Sequence, residues 1–172
     1  MKLTPDQKLS GILAPLFALR TERDLGIGDT ESLKELVDWA SANGFGLVQV
    51  LPINESGGDN SPYNIISSLA IDPTTIAANP KALKDLAAAD FKKICAAHDV
   101  AALRSGKVNY AGVRALKRDL LESAWKKFKA AHLREKTRRA REFAAWTAEN
   151  AAWLEPYTLF RALVRLHGES ET

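Results

Sequence analysis

Residues 45–73, FGLVQVLPINESGGDNSPYNIISSLAIDP, decide the fold expected of this 172-residue chain. The stretch opens with an apolar run, Phe45 to Leu51, which has the length and composition of a buried strand. Pro52 ends that run, and a loop of mostly polar and small residues follows from Asn54 to Ser61. In α/β proteins such loops present polar groups and open backbone to ligands, because the preceding strand holds them in place. We therefore expect functional residues in this loop.

A second apolar run, Gly11 to Leu19, predicts another strand upstream. Between the two runs, Asp29 or Thr30 is placed to cap a helix, and Asn43-Gly44 is placed to end it. The residues of one apolar stripe recur at helical spacing between these caps: Leu33, Leu36, Val37 and Ala40. Strand, helix and strand in this order form a βαβ unit, so the two strands are expected to be parallel.

Short helices are predicted around and beyond Pro73. Ile65 to Ala70 is an apolar segment of helical character, and Asn79-Pro80 resembles a cap followed by a first-turn proline. Asp90 is placed to cap a further helix, and Val100 to Lys107 is predicted to be a connector.

Long helices are predicted from Asn109 onward. Two apolar stripes have helical spacing, the first being Val113, Leu116, Leu120, Leu121, Ala124 and Phe128, and the second Ala140, Phe143, Thr147, Ala151 and Leu154. Pro156 is predicted to begin a third helix that Gly168 closes.

The charge distribution allows two interpretations. The net charge is +3, but residues 104–141 hold 13 basic and 3 acidic side chains. This basic block is typical of a solvated helix face, and it would also suit a phosphate-rich partner. The single cysteine, Cys95, excludes an internal disulfide and fits a reducing compartment. The apolar run ending at Leu19 lacks the features of a signal peptide, so a cytoplasmic protein is expected.

Four short motifs occur in order along the chain. Residues 26–29 are GIGD, residues 48–52 are VQVLP, residues 61–63 are SPY and residues 153–160 are WLEPYTLF. In these motifs the chain resembles the amino-terminal part of the 4-alpha-glucanotransferases, also called amylomaltases or disproportionating enzymes. The chain departs from the family pattern at Val48 (usually Trp), Asn64 (usually Gln) and Ile71-Asp72-Pro73 (usually Gly-Asn-Pro).

The resemblance implies an α/β fold: the amino-terminal part of a TIM-type (β/α)8 barrel, with its first two parallel strands, followed by a helical insertion subdomain. Residues 1–75 are then the first βαβ unit with a substrate-groove loop, and residues 76–172 are the helical insertion. A closed barrel needs eight strands and about 250 residues. Each of the two strands is therefore expected to keep an unpaired edge, through which the isolated chain self-associates.

The resemblance also implies an enzyme that transfers α-1,4-glucan segments between malto-oligosaccharides by a retaining mechanism. Its partners would be malto-oligosaccharides or glucans derived from starch or glycogen, with no cofactor, nucleic acid or membrane. The family's catalytic carboxylates lie on later strands, so no catalytic residue is expected in this segment and the 172 residues alone are expected to be inactive. The rival hypothesis is a non-enzymatic helical protein whose basic block binds an acidic partner.

Tyr63, Ser61 and Asn54 are the predicted substrate-binding residues. A tyrosine offers a flat apolar face and a hydroxyl, which suit the apolar face and hydroxyl rim of glucose. The Ser-Pro-Tyr element lies at the sugar-binding groove in the family that the chain resembles. The alternative for Tyr63 is a ring packed on the following helix.

Other candidate sites are rejected on residue chemistry. Retaining transfer needs two carboxyl groups about 5–5.5 Å apart. Asp29 is explained as a helix cap, whereas Glu55 and Asp59 lie in a loop expected to be flexible, with no means of raising one pKa. The remaining candidates fit no site: Gly26-Ile27-Gly28 lacks the third glycine of a dinucleotide loop, His98, His132 and His167 lack metal spacing, and Trp125, Trp146 and Trp153 suit helix packing.

Overall fold

A computed structural model describes Asp6 and residues 8–167 of the chain. Its strands and helices are β1 (Gly11–Ala14), α1 (Thr30–Ala42), β2 (Leu47–Val50), α2 (Ala88–Ala97), α3 (Val100–Arg104), α4 (Tyr110–Phe128), α5 (Arg138–Glu149) and α6 (Ala151–His167). Two 3-10 turns, Leu16–Ala18 and Pro73–Thr75, and a π-helical turn, Lys129–Leu133, complete the regular structure of the described residues.

Strands β1 and β2 are parallel, as the βαβ pattern predicts. They pair in register from Gly11 with Leu47 to Ala14 with Val50, and α1 connects them. The first strand is shorter than the predicted Gly11–Leu19, because Pro15 follows Ala14 and has no N–H to donate to the ladder. The chain then enters the 3-10 turn over Leu16–Ala18, which the apolar composition alone had not distinguished from strand.

The two strands are less buried than predicted. Residues along each alternate between exposed and half-buried, and Leu13 and Leu47 expose 57% and 47% of their surface. Within the described residues the sheet has only these two strands, so each has one unpaired edge. The prediction of buried strands is therefore wrong for the described residues, because too few elements pack against the pair to cover it.

Helix α1 has the caps that its sequence predicts, with Asp29 rather than Thr30 as the N-cap. Asp29 Oδ1 accepts hydrogen bonds from the backbone N–H groups of Glu31 and Ser32, at 3.0 and 3.3 Å. Ser32 Oγ in turn accepts the Asp29 N–H, which completes a capping box. At the other end Asn43 is the cap, and Gly44 has a φ of 78° that favours glycine.

The GIGD motif is close-packed backbone rather than a phosphate loop. Every residue from Asp24 to Asp29 is buried. A Cβ on Gly28 would lie 2.0 Å from the carbonyl oxygen of Leu16, and one on Gly26, whose φ is +99°, would lie 2.9 Å from that of Leu103. Both glycines are thus required by the contact between this loop and its neighbours.

The hydrophobic core lies between α4 and the segments preceding it, away from the sheet. Its buried members are Leu25, Ala78, Leu86, Leu103, Leu116, Leu120 and Ala124, with Leu83, Phe91, Ile94, Cys95 and Val100 packed around them. The stripe predicted on α4 is confirmed, since Val113, Leu116, Leu120 and Ala124 are buried. Burial of this stripe, rather than the strand pair, supplies most of the apolar core.

Of the predictions for this region, the helix after Asn79-Pro80 and the connector at Val100–Lys107 are wrong, whereas the helix near Asp90 is present with a different N-cap. Asn79 Oδ1 accepts the N–H groups of Lys81 and Ala82, but the structure continues as turns rather than as a helix. Asp90 lies inside α2, whose N-cap is Ala87, and pairs with Lys127 at 2.9 Å. The predicted connector contains helix α3, which Asp99 caps through the N–H of Ala102.

The predicted second stripe is divided between two helices. Helix α5 ends at Glu149 with Asn150 as its cap, and α6 begins at Ala151. Asn150 Oδ1 accepts the Trp153 indole N–H at 2.9 Å, which favours a break at this point. Pro156 therefore lies within α6 rather than at the start of a helix, and the predicted end at Gly168 lies outside the described residues.

A buried lysine joins the βαβ part of the chain to the helical part. Lys117 on α4 is 1% exposed, and its Nζ lies 3.0 Å from Asp29 Oδ2 and 2.6 Å from the Ile76 carbonyl oxygen. Burial lowers the pKa of Lys117, and the Asp29 charge opposes that effect. A neighbouring hydrogen bond from the Ala77 N–H to Thr30 Oγ1 strengthens the same junction.

We expect Lys117→Met to lower the free energy of unfolding by about 3–5 kcal/mol, because the substitution leaves the Asp29 carboxylate buried without its cation. Urea denaturation of the chain measures this change. Lys126→Met, at an exposed position in the last turn of the same helix, is the control and should change stability by less than about 0.5 kcal/mol. Equal stability of the two variants would contradict a structural role for the buried ion pair.

Candidate functional site

The segment after β2 folds back on itself as an irregular antiparallel ribbon, residues 53–72, here called the ribbon loop. The Asp72 N–H donates to the Ile53 carbonyl, the Glu55 N–H to the Ala70 carbonyl and the Ile66 N–H to the Glu55 carbonyl, at 2.8–3.0 Å. The loop follows the carboxyl end of a parallel strand, which is where barrel enzymes place their sites. The polar loop that the sequence predicts after the second strand therefore lies where barrel enzymes place their sites.

The helix predicted over Ile65–Ala70 is wrong. The backbone groups of this segment bond across the ribbon instead of along a helix. Ser67 Oγ accepts the N–H groups of Leu69 and Ala70, at 3.2 and 3.0 Å. Serine side chains that bond to nearby backbone compete with helix formation, which explains the difference.

The end of the ribbon loop is held by its own polar side chains. Asp59 accepts the Ser61 N–H at 3.1 Å and the Asn64 side-chain amide at 3.2 Å. Asn60, with a φ of 57°, accepts a hydrogen bond from the Arg114 guanidinium of α4. The Asp59 carboxylate is thus engaged in shaping the turn.

The three predicted substrate-binding residues lie in this loop but have different surroundings. Tyr63 exposes 73% of its surface and no helix follows it, so the alternative of a ring packed on the next helix is wrong. Ser61 Oγ accepts the Tyr63 N–H at 3.3 Å, and its O–H remains a donor. Asn54 is half-buried, and its amide donates to the Ala70 carbonyl at 3.4 Å, further back along the ribbon.

Glu55 is the residue of this loop that sequence reasoning misjudged. It was expected to be in flexible chain, yet it is only 6% exposed. Its carboxylate accepts the hydroxyl hydrogen of Tyr157 on α6, and Arg161 of the same helix lies 3.2 Å away. Burial raises the pKa of Tyr157, and the hydrogen bond to Glu55 raises it further. The WLEPYTLF motif contains Tyr157, but no local pattern indicated Glu55 as its partner.

The base of the ribbon loop is closed by Asp72. Its carboxylate accepts the Thr74 N–H and hydroxyl, at 2.8 and 2.7 Å, and the Ser56 hydroxyl lies 3.4 Å away. Asp72 is the N-cap of the 3-10 turn Pro73–Thr75, and that turn packs against α4. Both ends of the loop are therefore fixed, one through β2 and the other through α4.

A concave region separate from the ribbon loop lies between α4, α5 and residues 82–85. Its volume is about 430 Å³, and Trp125, Phe128, Asp85 and Arg139 are among its lining residues. The two terminal nitrogens of Arg139 donate hydrogen bonds to the two carboxylate oxygens of Asp85, at 2.8 and 2.6 Å. These hydrogen bonds lower the pKa of Asp85. Because these charges satisfy each other, we assign the region to packing.

Part of the basic block is paired with acidic side chains. Four of its cations pair with carboxylates on other segments, namely Arg104 with Asp24, Lys117 with Asp29, Lys127 with Asp90 and Arg139 with Asp85. This pairing leaves less positive charge for a phosphate-rich partner than the sequence count suggests.

In the part of the chain that the structure describes, no three His, Cys, Asp or Glu side chains are grouped so that they could hold a metal ion. None of its helices combines the length and the apolar character needed to cross a bilayer.

A parallel βαβ unit with a structured polar loop at the carboxyl end of its second strand is the beginning expected of a barrel enzyme. The model of glycoside hydrolase family 77, described as 4-alpha-glucanotransferase and implying a TIM-barrel enzyme, matches residues 14–172. The chain therefore belongs to the 4-alpha-glucanotransferase family.

Individual relatives agree with the family match. The chain is 32% identical over 169 residues to a 4-alpha-glucanotransferase of Chlamydia pneumoniae, covering 98% of this chain and 31% of that protein. It is 36% identical over 157 residues to 4-alpha-glucanotransferase DPE2 of Oryza sativa subsp. japonica, covering 88% of this chain and 16% of the relative. The chain thus spans less than a third of the length of these curated relatives.

Proposed function

We propose that these residues form the amino-terminal part of a 4-alpha-glucanotransferase, which moves α-1,4-glucan segments between malto-oligosaccharides by a retaining mechanism. The match of the family model to residues 14–172 is the observation that carries the proposal. In this proposal β1 and β2 begin the barrel, residues 1–75 are its first βαβ unit, and residues 76–172 are a helical insertion. The catalytic carboxylates belong to later strands, and the protein acts in the cytoplasm on glucans derived from starch or glycogen.

The ribbon loop is proposed to form one wall of the glucan groove. Tyr63 supports this role, because a ring that is 73% exposed has a free face against which a glucose unit can stack. Ser61 and Asn54 are proposed to bind sugar hydroxyls, as small polar side chains in the same loop. The loop also follows the carboxyl end of β2, the face on which barrel enzymes bind substrate.

We expect a polypeptide of these 172 residues to have no disproportionating activity on maltotriose, because the proposal places the nucleophile and acid/base on later strands. Glucose release from maltotriose by the purified polypeptide is the measurement, and the full-length protein is the positive control. Glucose formed in proportion to the amount of pure polypeptide would contradict the proposal and would direct attention to Glu55 and Asp59.

In the full-length protein, Tyr63→Ala should lower kcat/KM for maltotriose by at least about fivefold, because a stacked aromatic contributes roughly 1 kcal/mol beyond its buried area. Folding should change little, since the side chain is largely exposed. Tyr63→Phe retains the ring and is the matched control, which separates stacking from the hydroxyl. Unchanged kinetics of Tyr63→Ala at every glucan length would remove Tyr63 from the proposed groove.

We expect the 172-residue chain to self-associate through the open edges of β1 and β2, whose N–H and C=O groups can pair with another copy. Sedimentation over a range of concentrations measures this. Leu13→Lys places a charge at an exposed strand position and should weaken the association. A single monomeric species at all concentrations, with slow amide exchange at Val48 and Val50, would show instead that the strand pair is self-sufficient.

A further inference from the structure

Glu55 connects the ribbon loop to the far end of the described chain. Its backbone N–H and C=O bond to Ala70 and Ile66, so the residue lies in the middle of the ribbon. Its side chain is bound by Tyr157, 102 positions later in the sequence, and by Arg161 one turn further along α6. The backbone and the side chain of one residue thus join the loop to the helical region.

We propose that Tyr157 is a positioning residue for glucan binding: by holding Glu55, it orients the ribbon loop so that Tyr63 faces the substrate. The role in glucan binding rests on the proposed function, whereas the contact between loop and helix is a feature of the structure. Neither Tyr157 nor Glu55 needs to touch the sugar for this role.

The environment of Glu55 makes the contact difficult to replace. A buried carboxylate requires hydrogen-bond donors or a cation, and hydrogen bonds to a charged acceptor are stronger than neutral ones. The raised pKa of Tyr157 keeps its hydroxyl protonated, and therefore a donor, throughout the neutral range. Removal of that hydroxyl leaves Glu55 beside Arg161 with one hydrogen-bond donor fewer, and we expect the loop to move so that water can replace it.

The Tyr157 ring is itself fixed in place. It lies 6.1 Å from the ring of Trp153, centroid to centroid. Trp153 donates its indole N–H to Asn150 at the junction of α5 and α6. The Tyr157 hydroxyl is therefore held at a defined position beside Glu55, whereas the end of a flexible surface side chain would not be.

The contact with α6 joins the ribbon loop to the long helices, and so does the hydrogen bond of Asn60 with Arg114 of α4. Asp59, Ser61 and Asn64 bond to groups within the loop and set its local shape. Asp72 fixes its base, close to where the chain leaves the ribbon. The Glu55 contact lies between these two regions, and together with the Asn60 contact it sets the angle at which the end of the loop projects from the protein.

The test compares Tyr157→Phe with Arg165→Gln. Arg165 lies one turn beyond Arg161 on α6 and pairs with Glu122 of α4 at 3.3 Å, so its loss removes a contact of the same helix without touching the loop. In the full-length protein, Tyr157→Phe should raise KM for maltotriose about tenfold, as expected for a charged group that loses a hydrogen bond, with kcat within about twofold. Arg165→Gln should leave both constants unchanged.

Hydrogen exchange on the same proteins separates positioning from general stability. In Tyr157→Phe the amides of Glu55, Ile66 and Asp72 should exchange at least about tenfold faster, while those of Leu116 and Leu120 in the core keep their wild-type rates. Equal acceleration in the loop and in α4 would overturn the proposal in favour of a merely structural tyrosine. Wild-type KM or wild-type loop exchange would also overturn it. If the full-length wild-type protein has no disproportionating activity, the proposed function is wrong, and the exchange data alone decide whether Tyr157 holds the loop.

Discussion

The ion pair between Lys117 and Asp29 is the contact on which the arrangement of this chain depends. It places a charged nitrogen in a site that is 1% exposed, where desolvation is costly and only well-placed partners can offset it. The partners are the N-cap of α1 and the carbonyl of Ile76. Because all three groups must meet, the start of α1, the chain after the ribbon loop and the middle of α4 have fixed relative positions.

This constraint explains why the core lies where it does. Once α4 is held against the start of α1, its apolar stripe faces Leu25, Ala78, Leu86 and Leu103, which form the buried cluster with Leu116 and Leu120. Burial of these apolar side chains stabilises the fold but does not depend on the angle between the helices. The ion pair does depend on the relative positions of its groups, and it therefore fixes how α4 lies against the start of α1. The strand pair contributes little apolar burial, and its half-exposed residues show that it is not the centre of the described structure.

Local sequence patterns predicted the features that depend on neighbouring residues. The Asp29 cap, the end of α1 at Asn43-Gly44 and the α4 stripe all follow from spacing within one element. The pairing of β1 with β2 follows from the order of elements, together with the short connection through α1. The family resemblance was carried by motifs of the same local kind, and the family match confirmed it.

The features that were missed depend on partners distant in sequence. Lys117 directly follows the apolar Leu116 in α4, and its sequence neighbours indicated a charge on a solvated helix face. In the structure it lies beside Asp29, which is 88 positions earlier in the sequence. Glu55 was judged by its polar neighbours in the loop, whereas its surroundings are set by Tyr157. The predicted helix over Ile65–Ala70 failed for a similar reason, because cross-ribbon hydrogen bonds override a weak local preference.

Two of the buried carboxylates, Asp29 and Glu55, show how a polar contact differs from an apolar one in placing a loop. Apolar packing tolerates sliding, because it scales with area and not with angle. A hydrogen bond weakens steeply when its donor moves out of line, so it allows only one arrangement of the groups that it joins. A loop that has to hold one tyrosine in a fixed orientation, as proposed for Tyr63, needs a hydrogen-bonded contact rather than apolar packing alone. The ribbon loop has such a contact with α6, and in our proposal the helical region thereby takes part in orienting the glucan groove.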